Sequence, residues 1–110
     1  MKRGTVVLAS FPFTDLTSSK RRPTVIVSKV NPNKSDVTVA FISSVVRPEL
    51  SDTDLIINSN DPDLLKTSVI KVDKLLTIEK QLFTGEIGSL SECLLKELDK
   101  KLKIALDLVN

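Results

Sequence analysis

The side chains best suited to chemistry stand in one run, Lys20, Arg21 and Arg22, followed by Pro23 and a β-branched stretch, "KRRPTVIVS". Three consecutive cations are a marked concentration in a 110-residue chain whose formal net charge is only +2. Arginine grips a phosphate through two parallel hydrogen bonds. The residue before a proline is pushed out of the helical region. Arg22 is therefore expected in extended backbone where a loop enters a strand, a place that holds a side chain better than a loop centre does. Read alone, the run also fits a solvated flank whose charges deter edge-to-edge strand pairing.

The absences narrow the chemistry further. Without histidine there is no imidazole base, no Ser-His or Cys-His nucleophile pair and no imidazole metal ligand. One cysteine, Cys93, makes neither a thiolate metal cluster nor an internal disulfide. With no Trp or Tyr and four Phe, a base-stacking sheet is poorly supported. Any catalysis must come from Arg, Lys, Asp, Glu, Ser and Thr, and no cofactor or metal is expected. Phe11 and Phe13 could stack on a base but read rather as core or loop anchors, and Cys93 reads as packing beside a helix stripe. "KELDKKLK" reads as a solvated helix face, and Asp61 and Asp63 do not make a metal pair.

The elements that must position these residues follow from periodicity. Alternating or continuous apolar runs predict strands near 5–9, 23–30, 37–46, 55–58, 68–78 (one strand or a pair) and 85–90, with turn signals at "NPNKSD" and "SNDPD". From Glu92 the period changes: Leu95, Leu98, Leu102, Ala105, Leu106 and Val109 recur at spacings of three and four, one face of a helix. Ser89 with Glu92 matches a capping box. Composition, at 41% hydrophobic and 27% charged, describes an ordinary globular protein, and the length fits one domain over 1–110. Lys2 and Arg3 ahead of a short apolar run imitate a leader, but the run reads as the first strand. No run approaches the ~20 apolar residues of a membrane helix, and a cytoplasmic protein is expected. The expected class is mainly β, a small, mostly antiparallel barrel or curled sheet with a C-terminal α-helix.

Several stretches together resemble the MazF/PemK family of toxin endoribonucleases, the toxic halves of bacterial toxin–antitoxin pairs. "KRGTVVLASFPFTD" is similar to the family's opening strand and "KRRPTVIVS" to its Arg-Pro strand entry. "VAFISSV" is similar to its third strand, and "SVIKVDKLLTIEKQLF" and "IGSLS" to its late strands. The resemblance implies an SH3-like barrel of the MazF/CcdB type, usually homodimeric. It implies metal-independent cutting of single-stranded RNA, in which the 2′-hydroxyl attacks the adjacent phosphate to leave a cyclic phosphate and a free 5′-hydroxyl. It also implies an antitoxin that lays an acidic, partly disordered segment across the RNA groove.

By the same resemblance Arg22 matches the catalytic arginine, and Ser43 the strand-end Thr/Ser that hydrogen-bonds the scissile phosphate. Asp73 matches an often acidic position and is the best available proton acceptor; Lys71, two residues earlier, shares its strand face. Lys20, Arg21 and Lys71 would hold the RNA backbone. For "KVDK" the ordinary alternative is a strand edge with compensating charges. Two departures stand out. Thr5 replaces a common acid after the glycine, and the first loop offers only Asp15. Two other classes are carried beside this one: a gyrase inhibitor like CcdB on the same fold, and a catalytically lapsed protein that binds RNA or antitoxin.

Overall fold

Apolar β-branched runs broken by polar turns produce strands in the order the sequence dictates. The computed structural model describes residues 1–12, 19–44, 49–57 and 67–108. Six strands form one antiparallel sheet: β1 (Thr5–Pro12), β2 (Ser19–Ile26), β3 (Asp36–Ser43), β4 (Asp54–Ile57), β5 (Ser68–Glu79) and β6 (Phe83–Ser89). One helix, α1 (Glu92–Ala105), follows. Asp15, Phe13, Asp61, Asp63 and Val109 lie outside the described residues.

The strand order β4-β5-β3-β2-β1-β6 forces the sheet to curl. Four interstrand steps of about 4.8 Å would set β5 and β6 about 19 Å apart in a flat sheet. Only a three-residue 3₁₀ turn, Lys80–Leu82, joins them, and at about 2 Å per residue it spans about 6 Å. The curl brings Ile78, Leu82 and Phe83 onto Val7, Ala9, Ile26, Val37 and Val39, a core on the sheet's inner side. Among the described residues β4 does not pair with β6. The mainly β class is as expected, but the sheet is open rather than a closed barrel.

The other face is covered by α1. Leu98 is fully buried against Val6, Val25, Ala40, Ile70 and Val72, with Leu94, Leu95, Leu102 and Ala105 packed around it. The helix begins two residues later than the capping-box reading implies. Ser91 is the N-cap, its hydroxyl accepting from the Leu94 N–H at 3.2 Å, while Ser89 belongs to β6 and pairs with Thr5. The helix also ends early. Asp107 takes a left-handed φ of 56°. The N–H groups of Asp107 and Leu108 then bond back to the carbonyls of Ile104 and Lys103, which satisfies the helix end without a glycine. Leu106 is accordingly exposed rather than part of the stripe, and Cys93 is exposed rather than packed.

Two residues next to the N-terminus fasten helix to sheet. Gly4 has φ +91°, a backbone conformation strained for any other residue, where β1 begins beneath the Leu95 side chain of α1. Arg3 donates from Nε to the Val27 carbonyl at 2.8 Å and from Nη2 to Asp99 on α1. Thr5 is buried and its hydroxyl accepts from the Lys2 N–H at 3.1 Å, so the residue departing from the family's acid closes a turn. Among the described residues no helix is long and apolar enough to cross a membrane.

Candidate functional site

Antiparallel partners share a sheet face, so the register itself assembles the site. One row runs unbroken across five strands: Val7, Thr24, Phe41, Lys71 and Asp54. The neighbouring row holds Ala9 opposite Arg22, and Ser43 opposite Val69, which is opposite Ile56. The β2–β3 pairs run from Ile26–Val39 to Thr24–Phe41. The pairing stops there, and Arg22 and Ser43 each stand two residues beyond its last pair, level with one another if the register is extended. Both rows lie on the face away from α1, since Val7 and Ala9 belong to the inner core.

The sequence places Arg22 at a loop–strand junction; the structure sets it within β2, paired with Ala9 and exposed. Pro23 is the fifth residue of that strand rather than its first. It supplies no N–H, and pairing with β3 begins at Thr24. Lys20 pairs with Phe11 and Arg21 with Ser10, so the basic run is strand, not a loop approach. Successive strand residues point to opposite faces. Arg21, exposed, therefore leaves β2 on the side opposite Arg22, and the contiguous clamp expected from the sequence is divided.

Ser43 is half-buried at the last position of β3, and Ser44 beyond it is exposed. Across from β3, Ala40 and Phe41 are consecutive, yet they pair with Leu75 and Lys71. Residues 72–74 of β5 therefore form a bulge. Val72 turns into the helix-side core, while Lys71, paired with Phe41, lies on the other face. Asp73 is exposed in that bulge. In regular geometry it stands about 13 Å along β5 from Val69, the partner of Ser43, so it is the candidate furthest from Arg22. Bulges characteristically re-aim side chains beside active sites.

Lys71 is the candidate whose surroundings differ most from a free backbone contact. Its Nζ lies 3.3 Å from Asp54 Oδ2, with side-chain exposures of 27% and 5%. Burial alone would raise the Asp54 carboxyl. The Ser51 backbone N–H, the hydrogen bond and charge of Lys71 and the Ser51 hydroxyl outweigh that and hold it below the ordinary aspartate range. Asp54 is the residue that sequence reasoning missed. It lies in "SDTDLIIN", and the one available signal was an acid at the start of an apolar strand. Among the described residues no group of three or more His, Cys, Asp or Glu converges as metal ligands would.

An open, curled antiparallel sheet with one C-terminal helix, carrying Arg and Ser on the uncovered face, defines a small, mainly β fold with one polar face. Residues 2–106 match the family of PemK-like, MazF-like toxins of type II toxin–antitoxin systems, and the chain belongs to that family. Among solved structures, the Mycobacterium tuberculosis toxin MazF-mt6 superposes with a TM-score of 0.80 at 27% identity, covering 96% of this chain and 99% of that one. An endoribonuclease in complex with its cognate antitoxin, from a Mycobacterial species, gives 0.83 at 20% identity over 100% and 98%. A MazE–MazF crystal structure from Deinococcus radiodurans gives 0.81 at 15% over 99% and 98%. No protein of curated function matches the chain.

Proposed function

We propose that this toxin is a metal-independent endoribonuclease that cuts single-stranded RNA. The observation that carries the reading is that Arg22 and Ser43 each stand two residues beyond the last β2–β3 pair, on the sheet face that α1 leaves uncovered. The RNA's 2′-oxygen attacks the adjacent phosphorus, and the bond from phosphorus to the 5′-oxygen breaks. A 2′,3′-cyclic phosphate and a 5′-hydroxyl result, the proton lost at the 2′-oxygen being balanced by one gained at the 5′-oxygen. This chemistry needs neither a protein nucleophile nor a metal, in keeping with a chain that has no histidine and one cysteine.

Arg22 stabilises the negative charge that grows on the phosphorane, and Ser43 hydrogen-bonds the same phosphate. Arginine is not the base, because its pKa exceeds about 12. Asp73, solvent-exposed in the β5 bulge, takes the 2′ proton. Lys20 holds the RNA backbone beside Arg22 and Lys71 contacts it from β5, while Arg21, on the opposite side of β2, adds charge that draws RNA in. A cognate antitoxin with an acidic, partly disordered segment covers the same face, and the chain acts as a homodimer. The endoribonuclease and MazE–MazF structures above, with antitoxins bound to two of them, support this reading.

The test is incubation of the purified protein with mixed-sequence single-stranded RNA in EDTA, with Arg22→Ala alongside and fragment ends mapped. Cuts with cyclic-phosphate ends are expected. Arg22→Ala should slow them by about 10²–10³, the usual loss for one preorganised donor, while leaving the fold intact because Arg22 is exposed. Intact RNA from folded, antitoxin-free protein would sink the reading and leave gyrase inhibition or binding alone. Full-rate cutting by Arg22→Ala would remove that arginine from the mechanism.

A further inference from the structure

A carboxylate on an edge strand ordinarily points to water. Asp54 opens β4, an edge strand, yet its side chain is 5% exposed. Taking an ion out of water is unfavourable unless partners replace the water. Here the Ser51 N–H supplies one hydrogen bond at 3.1 Å and Lys71 Nζ a second at 3.3 Å. The Asp54 N–H bonds back to the Ser51 carbonyl at 3.2 Å, and the Ser51 and Thr53 hydroxyls meet at 3.0 Å. The turn is thus built around a fixed carboxylate.

The pair stands one row from the proposed phosphate site. Lys71 lies opposite Phe41 on β3, and Ser43 is two residues further along the same face. Such diagonal neighbours have Cα atoms about 7–8 Å apart, within reach of an extended lysine. A lysine on its flexible four-carbon stem is ordinarily a roaming point charge. Here one of its three donors is engaged by a buried, immobile anion.

We propose that Asp54 is a positioning residue for RNA cleavage. It fixes the Lys71 ammonium beside Ser43, so that Lys71 meets the phosphate with aimed hydrogen bonds and contributes no net charge. The proposal rests on the ribonuclease reading above. Its logic is preorganisation: donors already aimed where charge develops need no rearrangement during the reaction, and a misplacement of about 1 Å is enough to lose about 10²-fold in rate. It also separates Lys71 from Lys20 and Arg21, whose charges would draw RNA in through counterion release.

Asp54→Asn tests this directly: Ser51 and Lys71 both bond Oδ2, so the amide oxygen keeps the Ser51 N–H while the anionic charge that holds Lys71 is removed. The expected result is a split. The value of kcat falls about 10²-fold, whereas RNA binding at low salt is unchanged or tighter. The log–log salt slope of binding steepens by about 0.7, one phosphate contact on a single strand. Adding Lys71→Met to Asp54→Asn should cost little further kcat, because the two act as one unit.

Should Asp54→Asn not fold, the double variant Asp54→Leu with Lys71→Met decides, since an apolar pair often replaces a buried ion pair without loss of stability. It should bind RNA and show the same drop in kcat. Folded Asp54→Asn or double variant cutting at the wild-type rate would overturn the proposal. So would a loss that merely tracks the folded fraction, with the salt slope unmoved. Both outcomes presuppose wild-type cutting; wild-type protein that leaves RNA intact overturns the ribonuclease reading itself, and this proposal with it.

Discussion

The two faces of the sheet use alternate residues of the same strands and come to opposite ends. On the α1 side, Val6, Val25, Ala40, Ile42, Ile70 and Val72 make a continuous apolar layer. Its best-tied charge pair, Arg3 with Asp99, sits at the rim with side chains 35% and 47% exposed. On the other side, the curl of the chain covers only part of the surface, with Ile78, Leu82 and Phe83 over Ile26 and Val39. The remainder carries Arg22, Ser43, Lys71 and Asp54, and its ion pair has one partner 5% exposed. Exposed pairs at a rim add little, about 0–1 kcal/mol, whereas a buried charge is retained only with partners in place. One face is thus spent on holding the chain together, and the other keeps polar groups in fixed positions.

If that division is right, stability and cleavage should come apart by face. Leu98→Ala is the largest test of the helix side. Leu98 is fully buried, and removing such a side chain costs about 2–5 kcal/mol through lost burial and the cavity left behind. The melting temperature should drop, while RNA cleavage per folded molecule stays at the wild-type value. A fall in specific activity alongside the melting temperature would break the comparison and show that the helix face shapes the site.

How much of this division the sequence revealed depends on the range of the forces involved. The strands and the helix were legible because burial imposes a period on each: Leu95, Leu98 and Leu102 at helical spacing, and Val37 to Ile42 filling both faces of β3. Boundaries were less legible. The broken "SFPFTDLTSSKRR" reads as loop, yet β1 runs to Pro12 and β2 starts at Ser19. Pairing of 10–12 with 19–21 overrides a weak local preference. Arg22, Ser43 and Lys71 could be named from family-like motifs and fall in adjacent rows. The division of Arg21 from Arg22 could have been foreseen only with the strand boundary in hand, since alternation then follows. Asp54 was invisible, because nothing local says that an acid in "SDTDLII" lies opposite a lysine 17 residues later. Long-range register carries that information.

A smaller effect, dependent on pH, sharpens the comparison from the other face. Asp54 is held below the ordinary aspartate value of 3.8 in the folded chain. The folded state then binds fewer protons there than the unfolded state does, so this carboxylate contributes stability above about pH 4 and loses it as pH falls through its depressed value. Asp54→Asn lacks the contribution at every pH. The stability gap between wild type and variant, measured by urea unfolding, should be constant near neutrality and narrow from about pH 4 downward, where wild type alone is losing it. A gap independent of pH would mean that the Asp54 carboxylate gains nothing from Lys71 and Ser51 in the folded state.

The smallest effect concerns where the helix-side layer begins. Ser91 accepts the Leu94 N–H and satisfies one of the donors a helix start leaves open. Replacing such a cap by alanine costs about 0.5–2 kcal/mol, which in a domain of about 100 residues lowers the melting temperature by about 4–8 °C per kcal/mol. Ser89, the other candidate by sequence pattern, is an exposed residue of β6, and Ser89→Ala should stay within about 0.5 kcal/mol of wild type. Measured together, the two serines locate the helix start in solution. Equal losses, or a larger one at Ser89, would move it back to the capping box and change which turn of α1 presses Leu95 onto Gly4. A loss confined to Ser91, with cleavage per folded molecule unaltered, would extend the separation of the two faces to the first turn of the helix.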